Sequence, residues 1–192
     1  MILYIHGFAS SGLGAKAKAV RDYFKEEAYA PSLSYVPDLA VDTLEQLARH
    51  CRRREEPLHL IGSSLGGFYA LYLAERYGCK AVLINPSLRP WTTLAAHTGT
   101  GTNYYDGARF EWTPRHVESL KKYRIDTPSH PERILLMLQT GDEVLDYRQA
   151  LELLPDSPRI LEEGGSHSFE GFERHLPKIA GFFSSDHQCN VL

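Results

Sequence analysis

Short apolar runs alternate along this chain with stretches in which apolar residues return every third or fourth position, the strand and helix signatures respectively. Residues 1–5 form the first run and break into His6-Gly7-Phe8-Ala9-Ser10-Ser11-Gly12, which reads as a buried strand followed by a Gly/Ser loop. Residues 15–28 set Ala19, Val20, Tyr23 and Phe24 against Lys16, Lys18, Arg21 and Lys25, an amphipathic helix. A second strand is predicted over 33–36, stopped by Pro37-Asp38. The next helix opens at Asp42, carries Leu44, Leu47 and Ala48 on one face and ends in Arg52-Arg53-Arg54, cations suited to a helix C-terminus. Leu58, Leu60 and Ile61 form a third strand, and Leu65, Phe68, Tyr69, Tyr72 and Leu73 then recur at helical spacing up to Gly78.

A fourth strand covers 80–84 and runs into Asn85-Pro86. Residues 91–112 show no clear period and are rich in Thr, Gly and aromatic side chains, the composition of a functional loop rather than a linker. Thr113-Pro114, a favourable N-cap and N1 pair, opens a helix over 115–123. Strands at 134–138 and 159–161, separated by a helix at 147–154, lead into Gln139-Thr140-Gly141-Asp142 and Glu163-Gly164-Gly165-Ser166-His167. A last helix spans 170–183, and 184–192 is polar and aperiodic, expected to be a disordered tail.

Six strands alternating with helices predict a single α/β domain over 1–183, with a six-stranded, mostly parallel sheet covered on both faces. In such sheets ligands sit beyond the carboxyl ends of the strands. The loops at Phe8, Ser64, Asn85, Asp142 and His167 each follow a predicted strand, so they are expected on one edge.

Composition narrows the partners. Of the 192 residues, 43% are hydrophobic and 23% charged, with a formal net charge of -3, which gives no electrostatic case for nucleic acid or an anionic membrane. The three cysteines, Cys51, Cys79 and Cys189, lack C-x-x-C spacing, so neither a disulfide framework nor a zinc site is expected, and a reducing cytoplasm fits best. The first apolar run has no basic flank of the secretory kind, and no run reaches the ~18 residues of a membrane span.

Candidate chemistry centres on Gly62-Ser63-Ser64-Leu65-Gly66, a G-x-S-x-G pattern placed between strand and helix. Such a nucleophile elbow strains the serine backbone and lifts its hydroxyl above the sheet, while the glycines let strand and helix approach without Cβ clashes. A plain strand-to-helix junction or a phosphate loop would use the same small residues, but Gly-Lys-Ser/Thr and G-x-G-x-x-G are both missing from this stretch. A serine needs a base, and the base an orienting acid. Among nine histidines, those in predicted helices, strands, unsupported loops and the tail fail on position, and His6, after the first strand, shapes a turn with Gly7, which leaves His167 after the last strand. Asp142 follows the most apolar strand, with Glu143 and Asp146 as alternative acids. The order Ser64, Asp142, His167 is that of α/β-hydrolase triads, in which the oxyanion donors would be the backbone N–H groups of Leu65 and Phe8. Trp91, Tyr104, Tyr105, Phe110 and Trp112 are candidate walls of a substrate pocket, with Arg89 as a cation at its mouth.

The blocks 4–11, 62–67, 85–90, 139–148 and 163–167, in that order, resemble the YqiA-type bacterial esterases of the α/β-hydrolase superfamily. The resemblance runs from Met1 to about Phe183 and departs in the 92–112 stretch and the tail. It implies a compact hydrolase fold without a separate cap domain, acting on small acyl esters or thioesters with no metal or organic cofactor. A thioesterase or acyltransferase using the same triad and a non-catalytic binding protein on this fold are the competing expectations.

Overall fold

In the computed structural model, which describes residues 1–185, five of the six predicted strands lie in one sheet, and a short edge strand takes the sixth place. The strands are β1 (Ile2–Ile5), β2 (Ala28–Tyr29), β3 (His59–Ser63), β4 (Lys80–Ile84), β7 (Ile134–Gln139) and β8 (Arg159–Glu162). They lie in the order β2-β1-β3-β4-β7-β8 and all pair in parallel. Between β3 and β7 a separate antiparallel hairpin, β5 (Gly99–Thr102) and β6 (Arg109–Trp112), stands outside the sheet.

The sheet is buried on both faces because its side chains alternate between two cores. Leu3, Ile5, Leu60, Leu83 and Leu136 point to one side, where they meet α2 (Pro37–Arg53), α3 (Leu65–Tyr77) and α5 (Pro114–Leu120). Ile2, Tyr4, Ile61, Val82 and Met137 point to the other, covered by α1 (Ala15–Phe24) and α7 (Leu176–Ser184). Two short helices, α4 (Pro90–Thr93) and α6 (Arg148–Leu153), fill loops on the carboxyl side. Helix α3 carries apolar residues all round because it is buried along almost its whole length.

The structure corrects several sequence expectations. Residues 33–36 are not a strand: the Leu33 N–H donates to His6 Nε2 at 2.9 Å instead of to a sheet neighbour, and the second strand is the two-residue β2. Helix α2 begins at Pro37, five residues before Asp42, because proline at N1 forgoes an N–H that has no partner there. The first helix ends at Phe24, and Lys25–Glu27 tighten into a 3-10 turn. The predicted final helix is divided: Gly171 adopts φ 67°, a 3-10 turn covers Phe172–His175, and α7 starts at Leu176. The aperiodic 91–112 stretch contains α4 and the β5–β6 hairpin. Thr113 caps α5 as expected, in a capping box with His116. The tail expectation for 184–192 falls mostly outside the described residues.

Candidate active site

The order of strands reverses at β1: the chain moves from β1 outward to β2, then returns to place β3 on the other side of β1. Ligands collect at such a switch point. The loops leaving β1 and β3 therefore meet there, and they carry Phe8 and Ser64.

Ser64 sits at φ 55°, ψ -120°, a region that costs a non-glycine residue of order 1–3 kcal/mol. Packing enforces it. A Cβ on Gly62 would overlap the Gly66 carbonyl, and one on Gly66 would overlap the Ile5 carbonyl, so both positions must be glycine for strand and helix to close this tightly. The hydroxyl is thereby held at the N-terminus of α3, where the Leu65 N–H is one of the first-turn donors without an intrahelical acceptor.

Ser64 Oγ lies 3.0 Å from His167 Nε2, and His167 Nδ1 lies 2.9 Å from Asp142 Oδ2 and 3.0 Å from Oδ1. An ionised Asp142 only accepts, so Nδ1 carries the proton and Nε2 presents its lone pair to the serine. The Asp142 side chain is 1% exposed, which by itself would raise its pKa. Hydrogen bonds from His167 and from the N–H groups of Leu145 and Val144 outweigh that burial and hold the carboxyl below its ordinary value. Glu143 takes a different place: its carboxylate accepts the backbone N–H of His167 at 2.9 Å. Asp146 bonds to Arg148 in the following turn.

Two buried amides hold the histidine loop. Asn85, at φ 39° and 3% exposed, donates from Nδ2 to the carbonyls of Ser166 (3.0 Å) and His167 (3.2 Å), and its Oδ1 accepts the Gln139 N–H at 3.0 Å. Gln139, 2% exposed, accepts the N–H groups of Ser166 (3.1 Å) and Glu170 (2.8 Å) at Oε1. Its Nε2 donates to Glu162 and to the Glu170 carbonyl. Sequence reasoning gave neither residue a role. The available signal was a polar side chain standing directly at the end of a fully apolar strand, as in Ile84-Asn85 and Leu138-Gln139.

The loop after β1 is shaped by His6. Its Nε2 accepts the Leu33 N–H, so Nδ1 is the protonated nitrogen and donates to the Gly7 carbonyl at 2.8 Å. Burial lowers its pKa, which keeps the ring neutral. Ala9 follows at φ 52°. The hairpin fastens to this loop through Tyr104 N–H donating to the Ala9 carbonyl (2.8 Å) and Asn103 Nδ2 donating to the Ser10 carbonyl (3.1 Å).

The candidate substrate residues separate by location. Trp112 is 1% exposed, gives its indole N–H to the Leu94 carbonyl and packs edge-on against Phe8 at 4.8 Å. Phe110 is buried beside Phe8 and under Tyr35. Trp91 packs on Phe68 with Arg124 over its face. Tyr104 and Tyr105 are exposed at the hairpin turn, and Arg89 is exposed at the start of α4. Of the six, Phe110 alone lines the cavity of about 50 Å³ that borders Phe8 and Leu65. A larger open groove of about 800 Å³ runs past β8 and the acid loop; it reaches Asp142 but not Ser64 or His167.

A parallel sheet in this order with a serine elbow after β3, an acid after β7 and a histidine after β8 defines the α/β-hydrolase fold, and no separate cap domain is present among the described residues. Solved structures agree: α/β hydrolase domain-containing protein 10 from mouse superposes with a TM-score of 0.66 at 20% identity, over 93% of this chain and 86% of that one. The esterase domain of a Rhodothermus marinus protein gives 0.66 at 19% identity, over 94% and 84%. Residues 1–184 match the model of an uncharacterised protein family, UPF0227, and the chain belongs to that family. A UPF0227 protein of Shewanella sp. (strain ANA-3) is 27% identical over 187 residues, 95% of this chain and 98% of the relative.

Proposed function

We propose that the protein is a serine hydrolase of small carboxylic esters. The observation that carries this reading is the continuous hydrogen-bond chain from Ser64 through His167 to a buried, ionised Asp142, built on a serine held at positive φ. His167 Nε2 takes the hydroxyl proton as Ser64 Oγ attacks the acyl carbon. The oxyanion is received by the N–H groups of Leu65 and Phe8, each such donor being worth on the order of 3 kcal/mol of barrier. The imidazolium, steadied by Asp142, then protonates the leaving alkoxide, and a water activated by the same Nε2 releases the acid from the acyl-serine. Thiolate leaves by the same steps, so a thioester is an equivalent substrate for this machinery. The fold shared with the Rhodothermus marinus esterase domain supports the reading at the level of architecture.

A fluorophosphonate probe tests it. Labelling is expected on Ser64, and Ser64→Ala should remove both the label and at least ~10³-fold of kcat/KM on p-nitrophenyl butyrate. Label on another residue, or hydrolysis that survives in Ser64→Ala, would overturn the assignment. Arg89 belongs to the same reading as a selector of anionic substrates: Arg89→Ala should raise KM for an anionic ester and leave its neutral counterpart unchanged.

A further inference from the structure

The cavity of about 50 Å³ is bounded on one side by Gly7 and Phe8 and on another by Leu65, the two segments assigned above to the oxyanion. A Cβ built on Gly7 would stand 3.2 Å from Ser64 Cβ and 3.7 Å from its Oγ, so this wall of the cavity is one van der Waals contact from the nucleophile. Leu33, Tyr35, Tyr69 and Phe110 supply its apolar walls beside the polar residues His6, Ser10, Ser34 and Asn103, and no Lys, Arg, Asp or Glu contributes to the lining. Such a space suits an alkyl chain and offers nothing to a charged one.

We infer that this cavity is the acyl-chain subsite of the hydrolase proposed above, and that the stacked rings of Tyr35 and Phe110 form its end wall, restricting it to short linear acyl groups. The inference rests on Ser64 being the nucleophile. Size sets the limit: a cavity of about 150 Å³ accommodates a six-carbon ring, so one-third of that volume holds about two carbons beyond the carbonyl. That corresponds to acyl groups of roughly two to four carbons. The end wall is braced from several directions. Tyr35 stacks on Phe110 at 4.8 Å and 24°, Phe8 meets the Phe110 ring edge-on at 5.6 Å, and Gly101 of the paired strand lies so close beneath the ring that a Cβ there would stand 2.6 Å from it. Main-chain pairing of Gly101 with Phe110 and the two hydrogen bonds to Ala9 and Ser10 fix the strand that carries the wall.

The test is a chain-length series of p-nitrophenyl esters, C2 to C12, with the parent, Phe110→Ala and Tyr35→Ala. The second variant removes an exposed ring and guards against loss of folding in the first. One methylene too many for a hydrophobic pocket is worth about tenfold or more, so the parent kcat/KM should peak at C2–C4 and fall by at least ~30-fold at C8. Each variant should raise the ratio of kcat/KM at C8 to that at C2 by about tenfold over the parent. Equal rates on C4 and C8 in the parent, or a loss in both variants that is uniform across chain lengths, would overturn the end wall. A chain that cleaves none of the esters and takes no fluorophosphonate label at Ser64 would instead remove the esterase reading, and the subsite with it.

Discussion

Asn85 shows how much of the site depends on one side chain that never touches the reacting atoms. It satisfies two carbonyls of the histidine loop and one strand N–H from within the core, and asparagine is among the few residues that tolerate its positive φ. Asn85→Ala leaves the His167 carbonyl and the Gln139 N–H unpaired, each at about 1–3 kcal/mol before relaxation, while the Ser166 carbonyl keeps the Phe169 N–H at 2.9 Å. If Asn85 is a positioning residue acting through His167, the variant should lose 10–100-fold in kcat with KM unchanged. In a His167→Ala background the same substitution should cost nothing further, since groups that act as a unit are not additive. Equal losses in both backgrounds, read from steady-state kinetics, would reduce Asn85 to a folding role. Asp142→Asn offers a companion measurement: it preserves shape but places an amide against Nδ1, and kcat should fall by roughly 10³–10⁴ through the wrong imidazole tautomer.

At the level of elements, the elbow is set by what cannot be added. A methyl group at Gly66 would overlap the Ile5 and His6 carbonyls, both main-chain atoms that cannot move without displacing β1. Gly66→Ala should therefore lower stability by about 3 kcal/mol or more, beyond an ordinary overpacking cost. Gly181, in helix α7, has open space where its Cβ would stand, so Gly181→Ala should stabilise by about 0.5–1 kcal/mol. Urea midpoints of the two variants should move in opposite directions. The legibility of the sequence follows the same physics. Strands β1, β3, β4 and β7 could be read because burial on both faces leaves continuous apolar runs that end abruptly in polar loop residues. Strand β2 could not, since two residues at the sheet edge carry no period, while Leu33 and Tyr35 alternate convincingly yet serve the cavity wall. Strand β5, Gly-Thr-Gly-Thr, is mostly exposed and has no apolar side chain to announce it. The loops that bring Ser64, Asp142 and His167 together were legible because each follows a strand; the amides behind them were not, because hydrogen-bond partners distant in sequence leave no local pattern.

For the molecule as a whole, Glu162 on the edge strand ties together pieces far apart in the chain. It pairs with Arg174, accepts from Gln139 and meets His175 Nε2 at 2.9 Å. The Arg174 guanidinium, followed by the Gln139 amide, holds its carboxyl down at about 2. A carboxylate depressed in the folded state contributes stability that is complete above its unfolded value near 4.5 and is lost as pH falls through 2. The urea midpoint of Glu162→Gln should thus lie below that of the parent at pH 6, and the difference should shrink steadily between pH 4.5 and pH 2. A constant difference over that range would show that packing, not charge, governs this corner.

The hairpin's attachment to the loop after β1 carries a consequence for how such a protein diversifies. One of its two anchors is wholly main chain, and the acceptors of both are the carbonyls of Ala9 and Ser10. Carbonyl acceptors do not depend on side-chain identity, so the tip from Tyr104 to Ala108 can be exchanged as a cassette while Asn103 keeps its hold. A lineage, or a library, can vary the surface of that segment without reopening the question of whether the chain folds.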